Sequence, residues 1–145
     1  MRSAVVCLVD RLRAAYHLPS LVQNSRLDRS AQAWTNVMVA HHEFTHGADF
    51  SSRISAVGFN FSAAGENIAT GFTTPRAVVD AWMASAGHCQ NILNPFYADV
   101  GTGVNSHPVT RSVSGGATWT QDLGLPLGLG APSHNFGPAR GCPYG

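Results

Sequence analysis

The chain contains no lysine. All nine of its basic residues are arginine, against eight acidic residues, and charged residues make up only 12% of its 145 positions. The net charge is +1, and no basic stripe or acidic tail stands out. That pattern excludes the electrostatic footprint of a nucleic-acid-binding protein. The missing lysine reads as a hint of a GC-rich genome, not as a functional signal. Long apolar runs are absent as well. The run from Ala4 to Val9 ends at Asp10, far short of the ~20 residues that span a bilayer and too short for a signal-peptide core. Either an export signal has been removed or the protein is cytosolic. Glutamate is scarce: Glu43 and Glu66 are the only two, so each asks for a specific explanation.

What is present points to one folded domain. Hydrophobic residues form 44% of the chain, too many for a disordered segment of this length. Residues 4–17 read as a helix, with Val5, Leu8, Val9 and Leu12 at i, i+3, i+4, i+7 and Arg11 and Arg13 beside them. Ser25 with Asp28 matches a capping box and opens a second helix, whose apolar stripe is Leu27, Ala31, Trp34 and Met38. This helix is expected to fray within 40–45, ahead of Gly47. Residues 50–57 read as a short helix capped by Gly58, and 58–72 as a Gly- and Asn-bearing connection. Thr74-Pro75 then starts a helix that buries Val78, Val79, Trp82 and Met83.

The second half alternates. Residues 97–104 read as a strand with Val100 and Val104 on one face, and Gly101 and Gly103 allow close backbone approach. Residues 117–123 read as a second strand, joined to the first by a hairpin-type loop over 105–116. From Gly124 onward the composition is Gly- and Pro-rich without periodicity, giving a domain over 1–124 and a tail over 125–145. Helices first and strands later predict an α+β fold, with helices packed on a small antiparallel sheet.

Two readings compete for the segment His41-His-Glu-Phe-Thr-His-Gly47. Locally, His42-Glu43-Phe44-Thr45-His46 matches H-E-x-x-H. On a helix, such histidines share a face and bind zinc, with the glutamate as general base of a metallopeptidase. Against this, Gly47 follows at once, and no further ligand lies at a familiar spacing.

The long-range reading uses more of the chain. F-x-H-G, A-G-E-N-I-A, A-W-M-x-S-x-G-H-x-x-N-I-L-x-P, V-G-x-G-V and W-T-Q follow one another in order. This series resembles the bacterial, SCP-like extracellular branch of the CAP superfamily, which includes cysteine-rich secretory proteins, antigen 5 and pathogenesis-related proteins of group 1. The resemblance covers roughly residues 5–124 and implies an α/β/α sandwich. It matches His46, Glu66 and His88 to the family's cavity residues, with Asn67 and Ser85 beside them. Eukaryotic members usually carry a second glutamate where Ser85 stands, so a mechanism needing two carboxylates is in doubt here.

The resemblance implies a secreted protein whose cleft takes a divalent metal or a small extracellular ligand: a lipid, a sterol or a cell-wall component. Three ligands, His46, Glu66 and His88, suit Zn2+ or another divalent cation with an open position. The alternative is a metal-dependent hydrolase of peptide or glycan, with Glu66 as the candidate catalytic group. A purely structural Glu66, pinning a turn beside Asn67, is the plainer alternative. Another plain alternative makes His88 a helix C-terminal histidine favoured by the dipole. Bacterial relatives of this kind also imply a Cys7–Cys89 disulfide, worth about 4–5 kcal/mol in the chain-entropy picture, with Cys142 left over. A disulfide in turn implies an oxidising compartment. A monomer is expected. His17, His41, His42, His107 and His134 read as surface or loop residues, and Trp34, Trp82 and Trp119 as core.

Overall fold

A computed structural model describes residues 1–110 and 115–130. Residues 131–145, with His134, Cys142 and most of the expected tail, lie outside the described residues. Among the described residues, five helices and four strands follow in order: α1 (Arg2–Ala15), β1 (Val22–Gln23), α2 (Ser25–His41), α3 (Phe50–Ala56), β2 (Phe61–Phe72), α4 (Pro75–Met83), α5 (Ala86–Ile92), β3 (Asp99–Asn105) and β4 (Ala117–Pro126). The strands form one sheet in the order β1-β3-β4-β2. β4 pairs antiparallel with both neighbours, but β1 runs parallel to β3, so the sheet is mixed and not wholly antiparallel.

The helices cover both faces, as an α/β/α sandwich requires. On one face, Val5 and Val9 of α1, Val78, Val79 and Trp82 of α4, and Cys89 and Ile92 of α5 meet Val100, Trp119 and Leu123 of the sheet in the main core. On the other face lies α2, which buries Leu27, Ala31 and Met38. Gly101 and Gly103 make this second contact possible. A Cβ at Gly101 would stand 2.1 Å from the Leu27 carbonyl carbon, and one at Gly103 2.4 Å from the Ala31 oxygen. Only hydrogen at these two positions lets the helix backbone lie against the strand.

Several local expectations are corrected. α2 is capped by Asn24, whose side chain accepts from Arg26 N, rather than by Ser25. Asp28 turns instead to the sheet and accepts from Thr102 N at 2.9 Å. Residues 61–72 are a strand, not part of a connection. Their Ala, Gly and Asn have low β-propensity, and pairing with β4 over its whole length overrides that preference. β4 itself continues past Gly124 to Pro126. The helix that starts at Pro75 stops at Met83, and a separate α5 follows after Ser85.

Two further corrections concern α1. Arg13, expected beside the apolar stripe, is fully buried. Its guanidinium donates to the carbonyls of Pro19 (2.9 Å), Ile92 (2.8 Å), Asn94 (2.9 Å) and Tyr97 (3.3 Å). Burial pulls its pKa down to about 10, which leaves it charged at neutral pH. Cys7 is an exposed free thiol, so the expected Cys7–Cys89 bridge is not formed. Helical geometry gives the reason. Val5 and Val9 define the buried stripe, and the residue midway between them points about 160° away from each. Cys89 is fully buried in the main core.

Candidate functional site

His46 reaches the site from the exposed segment between α2 and α3, which is tied down from below. α2 ends at His41, and His42 takes a left-handed conformation as its C-cap (φ 54°). His42 Nδ1 lies 2.9 Å from the Val109 carbonyl. The Trp34 indole donates to the Thr45 carbonyl at 2.9 Å. Gly47 follows His46 for two reasons: its φ is +76°, and a Cβ there would stand 2.9 Å from the Trp34 ring. The H-G pair is thus a turn laid over an indole.

This geometry removes the basis of the H-E-x-x-H reading. His42 is the last capping residue, and residues 43–46 are not helical. The two histidines therefore do not share a helix face, which the zinc-peptidase arrangement needs. They bond to different partners, Val109 and Glu66.

Glu66 lies on β2, an edge strand, opposite Asp122 of β4. Its side chain is fully buried, whereas that of His46 is 47% exposed. Glu66 Oε1 accepts from His46 Nδ1 at 2.9 Å. Both carboxylate oxygens also accept from Arg53, Oε2 from Nη1 and Oε1 from Nη2, each at 2.9 Å. Arg53 Nη2 donates further to the His46 carbonyl at 2.8 Å. The guanidinium lies over the Trp34 ring, 4.1 Å from its centroid, a cation–π stack. Sequence reasoning missed Arg53. The available signal was its isolation: it is the only basic residue between Arg29 and Arg76, near one of only two glutamates once the chain is folded.

His88 arrives from the sheet's edge on α5. It sits in the first turn of that helix, not at a C-terminus, so the dipole does not favour a charged ring there. Burial, and next the positive potential of His46, lower its pKa below the ordinary histidine value. The neutral imidazole is thereby the favoured form near neutral pH. α5 is held against β2 by side chains that cap the strand's outward carbonyls. Asn91 donates to Glu66 O at 3.1 Å and to Asn67 Oδ1 at 2.9 Å. Asn67 donates to His88 O at 3.3 Å and to Gln121 Oε1 at 3.0 Å. From α4, the Trp82 indole donates to Ile68 O at 3.1 Å. These contacts explain the G-E-N-I and N-I-L segments physically: they lock a helix to a sheet edge and also protect that edge. Ser85 is the N-cap of α5, partly buried, and makes no side-chain cap bond.

Beneath Glu66 lies a second carboxyl. Asp122 is fully buried, faces Glu66 and Ser30, and has both oxygens without a hydrogen-bond partner among the described residues. Burial first, and then Glu66, push its pKa well above the usual carboxylate range. Among the described residues, no group of three His, Cys, Asp or Glu side chains is disposed to hold a metal ion. No described helix is long and apolar enough to cross a membrane.

Comparison with known proteins agrees with this architecture. The chain is 37% identical over 124 residues to the uncharacterized protein YkwD of Bacillus subtilis (strain 168), covering 82% of this chain and 45% of that one. It is 26% identical over 112 residues to the uncharacterized membrane protein YlbC of the same organism, covering 74% and 32%. It therefore spans less than half the length of these curated relatives. Among solved structures, an extracellular SCP-domain protein from Bacillus anthracis superposes with a TM-score of 0.76 at 23% identity, over 86% of this chain and 40% of that one. An outer surface protein from Borrelia burgdorferi gives 0.74 at 20% identity, over 84% and 90%. The sequence model of the cysteine-rich secretory protein (CAP) family matches residues 6–123, and the chain belongs to that family.

Proposed function

We propose that this CAP domain is an extracellular binding module whose cleft offers two imidazoles, His46 and His88, to a divalent cation of the zinc type. The observation that carries this reading is the engagement of Glu66. Both of its oxygens are bound by Arg53, and one also holds His46 Nδ1. Glu66 is thus placed behind His46, orienting the ring as carboxylates do behind metal-bound histidines. The two imidazoles would hold the cation, with its remaining positions left to water or to a small extracellular ligand such as a cell-wall component or lipid. Bound there, the cation would supply Lewis acidity and a fixed point of attachment.

The same observation weighs against the hydrolase alternative. A general base needs a carboxylate with a free lone pair facing the substrate. Glu66 is buried under Arg53, and Ser85 stands where relatives carry their second carboxylate. An extracellular location is supported by the extracellular and outer-surface proteins that share the fold.

Calorimetric titration of zinc tests the reading. The expected result is one ion bound per chain, with the heat lost in the His46→Ala, His88→Ala double variant. The same weak heat in both proteins would overturn it.

A further inference from the structure

We infer that Arg53 is a positioning residue of this cleft: by clamping Glu66 and the His46 carbonyl together, it fixes the His46 ring as the tautomer that carries its proton on Nδ1 and turns a bare Nε2 to the cleft. Neither the family resemblance nor the sequence pattern assigns Arg53 a role.

The geometry is that of a two-point clamp. Nη1 and Nη2 reach the two oxygens of Glu66 at 2.9 Å each, the parallel fork that only a guanidinium supplies. A carboxylate held this way only accepts hydrogen bonds. The 2.9 Å contact with His46 must then be donated by the ring, which leaves the lone pair of a neutral imidazole on Nε2. Nη2 also holds the His46 carbonyl at 2.8 Å. One side chain therefore fixes both the backbone of the histidine and the group that orients its ring. Arg53 is itself held against Trp34, the ring that also supports Gly47 and bonds to Thr45. An ammonium in place of the guanidinium would keep the charge but could not form the fork, so Arg53→Lys separates positioning from electrostatics.

The tautomer is read directly from imidazole 15N shifts of the metal-free protein in mildly alkaline solution. The expected wild-type result is a single Nδ1–H form for His46. In Arg53→Lys, with the circular dichroism of the fold retained, a mixture of both tautomers is expected. A wild-type His46 in the Nε2–H form overturns the inference without any variant. So does a folded Arg53→Lys protein in which His46 stays wholly Nδ1–H. A second measurement rests on the metal reading above: zinc affinity should fall about 10–100-fold in Arg53→Lys, the usual effect of losing support behind a ligand. Wild-type protein that binds no zinc but shows the expected tautomers would overturn the metal reading alone.

Discussion

Replacing Arg13 by methionine should destabilise the domain far more than a change next to an apolar helix stripe ordinarily does. The wild-type guanidinium serves four carbonyls, from Pro19, Ile92, Asn94 and Tyr97. The bonds to Ile92 and Tyr97 are buried, whereas those to Pro19 and Asn94 lie nearer solvent. Methionine fills a similar length but donates nothing. Each buried carbonyl left without a donor costs about 1–3 kcal/mol, and the two outer ones can be rehydrated. Release from burying a charge returns part of the loss, which leaves about 2–4 kcal/mol. The turn at 92–97 joins the end of α5 to β3, so this loss also loosens the helix that carries His88. Urea unfolding followed by tryptophan fluorescence measures the change, because Trp82 and Trp119 are buried. The midpoint should fall with an unchanged slope. A loss below about 1 kcal/mol would refute the reasoning, since the carbonyls would then be finding other donors.

Two other predictions concern the carboxyl beneath Glu66 and the exposed thiol of α1. Asp122 has a folded-state pKa raised above its unfolded value by burial and by Glu66; its favourable contribution is complete below the ordinary carboxylate pKa and is lost as pH rises above it. Asp122→Asn should therefore raise Tm at neutral pH, with the gain shrinking toward pH values below the usual carboxylate range. An equal effect at both ends of a calorimetric pH series would contradict this. Cys7 should be alkylated in the native protein without reductant, as read by peptide mass, and Cys7→Ser should shift stability by no more than about 0.5 kcal/mol, as for other surface substitutions. Recovery of Cys7 only after reduction would restore the expected bridge.

Periodicity and capping signals along the chain were enough to read four of the helices and two of the strands, and little of the hydrogen bonding at the site. His46, Glu66 and His88 were singled out by the family resemblance that their three short segments carry, and the fold joins His46 to Glu66 directly. Gly101 and Gly103 were legible from the strand pattern itself, since missing side chains at alternate strand positions mark a close approach. Other choices were made by packing between distant segments. β2 is a strand because β4 pairs with it, although its own residues disfavour that state. Asn24 caps α2, and Asp28 turns to the sheet instead of closing a capping box. Cys7 faces solvent because one helical face was already taken by Val5 and Val9. The role of Glu66 depended on Arg53, a residue thirteen positions earlier whose partner only the folded chain reveals. Local chemistry is written along the chain, whereas the choice of hydrogen-bond partner for a buried carboxylate is a property of what folding brings beside it.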